Sequence, residues 1–273
     1  MARSRREKDS AYGRILERVF AARHRQGLSE VAFTREDISQ AATEIGIPVP
    51  RNLGDLVYSF RYRGQLPESI ASAAPPGKGW MILPAGPGRY RFALTSLVEI
   101  TPNPSLAETK VPDATPGIVS KYALSDEQSL LANVRYNRLI DIFTGVACYS
   151  LQNHLRTAVP RLGQVETDEV YVGVDQRGVH YVFPVQAKGQ SDRLGIVQVL
   201  QDFAVCAHKF PGLIARPIAA QSVASDVIVL FAFEKDGNDV AVSIEKHYRL
   251  VPPDAISGAD LERYGRRLVE PLT

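Results

Sequence analysis

The sequence predicts a mixed α/β (α+β) protein built from two domains. Apolar residues recur at helical spacing in the N-terminal third, Val- and Tyr-rich runs typical of strands lie in the C-terminal half, and a Pro-rich stretch separates them. A chain of 273 residues, 45% of them apolar, is long enough for two domains of ordinary size. We therefore expect one domain over 1–95, a linker over 96–120 and a second domain over 121–273.

Composition narrows the class of protein. No run of eighteen apolar residues occurs, and the charged start of the sequence has no apolar segment behind it. The two cysteines, Cys148 and Cys206, are far apart and show no C-x-x-C spacing, so they indicate neither a zinc site nor a disulfide framework. The sequence therefore predicts a cytoplasmic protein without membrane association.

Charge is distributed unevenly along the chain. The net charge is only +2, but residues 1–95 hold fifteen Lys and Arg against nine Asp and Glu, which leaves a difference of −4 for the rest. The basic N-terminal part is therefore the first candidate for contact with a polyanion.

The N-terminal domain shows three helical patterns followed by two short strands. The first helix ends at Gly27, and its predicted core stripe is Tyr12, Ile15, Leu16, Val19 and Phe20. The second begins at Thr34, whose hydroxyl can form a cap with Asp37. The third covers 51–64, and a turn-rich segment over 74–94 supplies the two strands.

Three helices followed by a β-hairpin resemble a winged-helix domain of the helix-turn-helix class. The resemblance implies that the third helix enters the major groove of DNA and that the hairpin contacts phosphates. Arginine suits these contacts because its planar guanidinium meets phosphate or guanine with two hydrogen bonds. The DNA-contact candidates are Arg51, Arg61, Arg63, Lys78, Arg89 and Arg91. A winged helix used for protein contacts is the alternative.

The segment over 96–120 carries four prolines, at positions 102, 104, 112 and 116. Proline excludes a regular helix and removes backbone donors, so we expect an ordered or semi-rigid linker. Beyond it, Ser125 and Gln128 predict the cap of a helix about five turns long, and a second helix is expected over 146–159. After a hairpin over 163–188, a helix should begin at Ser191 and Asp192. A central strand over 226–234, a peripheral strand over 245–252 and a short basic helix should follow.

The hairpin brings together the residues with the clearest chemistry. Acidic residues open its first strand, and Gln186 and Lys188 close its second strand on one face, because side chains alternate along a strand. Asp168 and Glu169 then point to opposite faces, so only one of the two acids can face the site. A carboxylate, an amide oxygen and an ammonium that converge are the groups needed to hydrolyse a phosphodiester with a divalent metal.

Asp168, the Gln186-Ala187-Lys188 segment and the helix after it resemble the PD-(D/E)xK nuclease superfamily, in the Mrr-like variant where Gln replaces the second acid. The resemblance covers some forty residues and implies a restriction-endonuclease-like αβββαβ core that uses Mg²⁺. It places Asp168 and Gln186 on the metal and assigns Lys188 to assist the nucleophile; Asp168 is chosen because Glu166-x-Asp168 before an apolar strand is closest to the family pattern, with Glu169 as the alternative. Glu127, early on the preceding helix, is a candidate supporting metal ligand, and a solvated first-turn acid favoured by the helix dipole is the alternative reading. Because Gln186 is neutral, this site has one negative charge fewer than the commonest form.

The resulting expectation is a Mg²⁺-dependent endonuclease acting on double-stranded DNA, as a site-specific (type II-like) restriction enzyme. Cutting both strands would use a homodimer or sequential nicking, and a cognate DNA methyltransferase is the expected partner of a restriction enzyme. A nuclease of DNA repair or junction resolution is the nearest alternative enzyme. A one-metal nuclease with a histidine base and a DNA-binding regulator with an inactive nuclease-like core also stay open.

Overall fold

The computed structural model describes residues 2–62, 65–96, 99–123, 126–192, 194–236 and 239–267, and within them the fold is mixed α/β, as predicted. The helices are α1 Ala2–Arg23, α2 Arg35–Glu44, α3 Leu53–Tyr62, α4 Glu68–Ala71, α5 Gly117–Tyr122, α6 Asp126–Tyr136, α7 Leu139–Thr144, α8 Ile196–Lys209 and α9 Gly258–Gly265. The strands are β1 Glu30–Thr34, β2 Gly79–Pro84, β3 Arg89–Thr95, β4 Glu99–Ile100, β5 Glu108–Pro112, β6 Ala147–Val159, β7 Gly163–Val174, β8 His180–Lys188, β9 Leu194–Gly195, β10 Ile214–Ala215, β11 Ile218–Ala224, β12 Val227–Asp236 and β13 Asp239–Val251.

The N-terminal part folds α1, α2, α3 and α4 against a three-stranded antiparallel sheet of order β1-β3-β2. The predicted stripe of α1 is buried along its whole length, from Tyr12 to Phe20. Thr34 and Asp37 form the predicted capping box, each side chain bonded to the backbone N–H of the other. The strand β1 was not predicted, and its pairing with β3 completes the sheet.

The C-terminal part is organised around a large sheet of order β5-β13-β12-β11-β8-β7-β6, with β10 alongside β8. β6, β7 and β8 are antiparallel neighbours, and α8 then crosses to β11, which lies parallel to β8. α6 and α7 cover one face of this sheet, while α8 covers the other. The prediction of a central apolar strand is confirmed by β12, which lies between β11 and β13.

The helix predicted over 146–159 is wrong, because this segment is the strand β6. It pairs antiparallel with β7 from Ala147 to Val159, with one register shift between Ser150 and Gln152. The pairing supplies partners for the backbone of β7 that a helix could not offer. Tertiary pairing therefore overrides the local helical pattern.

Two predicted helices have different bounds in the structure. The five-turn helix is divided into α6 and α7, and Arg138 adopts a left-handed conformation at the break. The Asn137 side chain accepts a hydrogen bond from the Ala114 N–H at 2.7 Å, which ties the break to the preceding segment. The helix predicted from Ser191 begins instead at Ile196, since Leu194 and Gly195 are extended as β9. Ser125 lies outside the described residues.

The Pro-rich segment does more than connect the two parts. β4 pairs with β9, and β5 pairs in parallel with β13 at one edge of the large sheet. β13 is therefore an internal strand rather than the peripheral strand predicted over 245–252. Pro112 is the last residue of β5, an edge strand, where a residue without a backbone N–H is tolerated.

β2 joins the two parts of the molecule. Trp80 and Ile82 pack into the N-terminal core, whereas Met81 and Leu83, on its other face, pack with α8 and β12. Alternation along one strand thus gives it two buried faces. No helix among the described residues has the length and apolar content needed to cross a membrane.

Candidate active site

The candidate site forms where β7 and β8 separate. Their antiparallel pairing runs from Val174 and His180 to Glu169 and Val185 and then stops, while β8 continues to Lys188 beside β11. Beyond that point the Asp168 side chain replaces a strand hydrogen bond, since its Oδ2 accepts the Ala187 N–H at 2.8 Å. The two diverging strands open a cleft at this position.

The cleft has a volume of about 930 Å³. Four of the sequence-predicted site residues lie on its wall, namely Asp168, Gln186, Lys188 and Glu127. They come from β7, β8 and α6, so the structure brings together residues up to 61 positions apart in the sequence. The other lining residues are Tyr58, Arg156, Gln164, Val165, Glu166, Ser191, Asp192, Gln198 and Gln201.

Two cationic residues, Arg156 and Lys188, line the cleft, and Lys188 is the more deeply buried of them. Its side chain is 14% exposed, and its Nζ lies 3.7 Å from Oε1 of Glu127, which is half-exposed. Burial raises the pKa of Asp168, while the Ala187 N–H and the positive charge of Lys188 offset part of that rise. Asp168 and Lys188 therefore form the charged centre of the site.

Gln186 is held from behind by a buried carboxylate on α8. Its Nε2 donates to both oxygens of Asp202, at 3.1 and 3.0 Å, and both residues are at most 2% exposed. Thr167 donates to Asp202 Oδ1 at 2.6 Å. Burial raises the pKa of Asp202 to about 7, and the hydrogen bonds from Thr167 and Gln186 lower it in part.

Glu169 lies on the opposite face of β7, and the structure does not bring it to the cleft. Its side chain is completely buried against α6, where Oε1 accepts hydrogen bonds from Arg135 Nε at 2.9 Å and Ser150 Oγ at 2.6 Å. The hydrogen bond to Glu169 raises the pKa of Arg135. Alternation along β7 explains the separation from Asp168. Of Asp168 and Glu169, only Asp168 therefore faces the cleft.

The donor set of the cleft fits a hard divalent cation. Asp168 provides a carboxylate, Gln186 an amide oxygen and Glu127 a second carboxylate, all of them ligand types that Mg²⁺ accepts. Within the described ranges, no group of three or more His, Cys, Asp or Glu side chains is gathered closely enough to hold a metal.

The DNA-contact candidates differ in accessibility. Arg51, Lys78 and Arg89 are exposed. Arg91 lies 3.3 Å from Glu30 in an ion pair, and Arg61 has its Nε and Nη2 shielded from solvent. Arg63 lies outside the described residues.

Sequence patterns did not identify every residue at the site. Tyr58, on α3, and Arg156, on β6, line the cleft from elements far from the hairpin in sequence. Gln198 and Asp202 carried a signal, because their four-residue spacing places them on one helix face, and both contact Gln186. His154 is exposed, and its Nδ1 lies 3.8 Å from Oε1 of Glu166, which lines the cleft.

No family model, curated protein or solved structure matches this chain.

Proposed function

We propose that this chain is a Mg²⁺-dependent DNA endonuclease that hydrolyses phosphodiester bonds. The observation that carries the proposal is the convergence of Asp168, Gln186 and Lys188 where β7 and β8 separate. Oxygen ligands for a hard cation beside an ammonium are the groups that phosphodiester hydrolysis needs.

The order of the surrounding elements supports the same reaction class. α6 precedes the antiparallel strands β6, β7 and β8, and α8 leads to β11 parallel to β8. With the short elements α7, β9 and β10 set aside, this order resembles the αβββαβ core of the PD-(D/E)xK nucleases. Asp168 lies on β7, and Gln186 and Lys188 lie on β8, so the acid and the lysine come from neighbouring strands.

The N-terminal part supports double-stranded DNA as the substrate. Its α1, α2, α3 and the β2–β3 hairpin follow the order of a winged helix, and Arg51, Lys78 and Arg89 are exposed basic residues on it. Tyr58 of α3 lines the same cleft as Lys188. A DNA-binding module fixed beside a hydrolytic site suits a site-specific, type II-like restriction enzyme.

In this proposal Asp168, Gln186 and Glu127 would hold Mg²⁺. The bound cation would neutralise phosphate charge and make water a better nucleophile. Lys188 faces the same space and stabilises the negative charge that develops on the phosphoryl oxygens. The water oxygen bonds to phosphorus and gives up a proton to solvent, the bond from phosphorus to the leaving sugar oxygen breaks, and that oxygen takes up a proton from solvent.

The test is incubation of the purified protein with plasmid and phage DNA in Mg²⁺, Mn²⁺ or EDTA. We expect discrete bands that require metal, and Lys188→Ala should slow cleavage about 100- to 1,000-fold because it removes a charge that acts on the transition state. Lys209→Ala is the matched control, since Lys209 is an exposed lysine at the end of α8. Equal cleavage by the wild type and Lys188→Ala would contradict the proposed role of Lys188.

A DNA-binding regulator is the second candidate function. The observation that favours it is Gln186, which stands where the commonest nucleases have an acid and whose amide is engaged with Asp202. DNA binding that Lys188→Ala leaves intact, with no cleavage in any metal, would support the regulator. Methylated DNA and four-way junctions should be included among the substrates, because a nuclease that cuts only modified or branched DNA would otherwise be mistaken for the regulator.

A further inference from the structure

A small hydrogen-bonded network lies directly behind the candidate metal ligand Gln186. Asp202 on α8 is 1% exposed, and its two oxygens receive three hydrogen bonds, one from Thr167 Oγ1 and two from Gln186 Nε2. The three side chains come from α8, β7 and β8, and Asp202 is not among the residues lining the cleft.

The network fixes which end of the Gln186 amide faces the cleft. The Glu166 backbone carbonyl, which can only accept, also lies 3.4 Å from Gln186 Nε2, so an amide rotated by half a turn would place its Oε1 against this acceptor as well as against the Asp202 carboxyl group. The NH₂ group must therefore face Asp202. Oε1 then points away from Asp202, towards Gln198 Nε2 at 3.4 Å, a residue that also lines the cleft.

We propose that Asp202 is a positioning residue, which directs the Gln186 amide oxygen into the cleft as a ligand for a divalent cation. The inference rests on the proposed nuclease function. It also explains how a neutral ligand serves in a site that commonly has an acid. Gln186 makes the contact with the cation, and Asp202 holds the Gln186 amide from behind.

Metal binding tests this inference without relying on catalysis. Titration calorimetry with Mn²⁺ on the wild type, Asp202→Asn and Asp202→Ala should show affinity lower by about 10- to 100-fold in the variants, the usual effect of losing a residue that orients a ligand. Asp202→Asn is nearly isosteric and buries no charge, so it should fold even where Asp202→Ala does not. Glu169→Gln is the matched control, because it makes the same change at a buried carboxyl on the other face of the sheet and should leave Mn²⁺ affinity unchanged.

A charge exchange separates positioning from a merely structural role. Gln186→Glu alone would place two carboxylates about 3 Å apart, where they compete for one proton. In the double variant Gln186→Glu with Asp202→Asn, the carboxylate at position 186 accepts a hydrogen bond from the amide at position 202. The side chain at position 186 then keeps its orientation, and its negative charge lies beside the cation. We expect this double variant to recover at least wild-type Mn²⁺ affinity, whereas Asp202→Asn alone does not.

The outcomes distinguish this inference from the proposed function. Wild-type Mn²⁺ affinity in folded Asp202→Asn, or no recovery in the double variant, would overturn the inference and leave the nuclease proposal intact if the wild type still cuts DNA. A wild type that neither binds Mn²⁺ nor cuts DNA would overturn both.

Discussion

At the scale of single residues, β7 carries two neighbouring acids that face opposite sides of the sheet. Asp168 faces the cleft beside Lys188, whereas Glu169, one position later, is completely buried against Arg135. Both are carboxylates on the same strand, so their environment rather than their chemistry decides their roles. The Glu169–Arg135 pair holds α6 to the face of the sheet that points away from the cleft, and neither residue lines the cleft.

Removal of Arg135 should therefore cost stability rather than chemistry. Arg135→Met leaves Glu169 buried without its cation, and we expect a loss of about 2–3 kcal/mol in the free energy of unfolding. The loss is below that of a fully enclosed pair because the Arg135 side chain is 36% exposed. Urea denaturation measures it. Cleavage per folded molecule should stay at the wild-type level, and a loss of Mn²⁺ binding in folded Arg135→Met would show that this pair belongs to the metal site.

At the scale of elements, the sequence was most informative where local chemistry decides the structure. Thr34 and Asp37 cap α2 through contacts three residues apart, and the hairpin of β7 and β8 forms across a turn with Gly178 at positive φ. Such short-range interactions are visible in the order of residues. The placement of Gln186 and Lys188 on one face followed from strand alternation alone.

Elements whose state depends on distant partners were predicted poorly. β6 carries Cys148, Leu151, Leu155 and Val159 at helical spacing, yet it is a strand because β7 offers it a long antiparallel edge. Leu151 is consequently 53% exposed. Tyr58 reaches the cleft only because α3 contacts α8, so no local pattern could have indicated it. The four-residue spacing predicts that Asp202 and Gln198 share one helix face, but no local pattern indicates that Asp202 is buried beneath Gln186.

The closing helix α9 offers a pH-dependent prediction at the same scale. Hydrogen bonds from Ser257 and from Lys110 on β5 lower the pKa of Asp260 well below its usual range, so this cap also ties α9 to the edge of the large sheet. A carboxyl whose pKa is lowered on folding adds stability above its unfolded pKa of about 3.9, and that stability is lost as the pH falls towards the folded value.

Asp260→Asn should therefore lower the urea midpoint at pH 7, and the gap from the wild type should shrink as the pH falls below about 4. Asp254→Asn is the control, since Asp254 is an exposed acid in the adjoining turn. A gap that stays constant between pH 7 and pH 3 would mean that the charge of Asp260 contributes nothing to the cap.

At the scale of the whole molecule, β2 joins the N-terminal part, the candidate for DNA binding, to the C-terminal part, which holds most of the candidate active site. Trp80 and Ile82 are buried in the N-terminal core, and Met81 and Leu83 are buried with Ile196, Val197 and Phe231 on the other side. An apolar contact of this kind resists the relative motion expected of loosely joined domains. The position of Tyr58 over the cleft depends on it, because α3 belongs to the N-terminal part.

The two parts should therefore unfold together, and a change confined to this contact should uncouple them. We expect one calorimetric transition for the wild type and two for the double variant Met81→Ser with Leu83→Ser, since each substitution removes about 2–5 kcal/mol of packing from the contact.

Mn²⁺ affinity should persist because Glu127, Asp168, Gln186 and Lys188 all lie in the C-terminal part, whereas cleavage of DNA should fall as α3 leaves the cleft. Ile82→Ala is the matched control on the same strand, because it weakens the N-terminal core and lowers the transition temperature without dividing the transition. A double variant that melts in one transition and cleaves at the wild-type rate would show that the hydrolytic site works without the N-terminal part held against it.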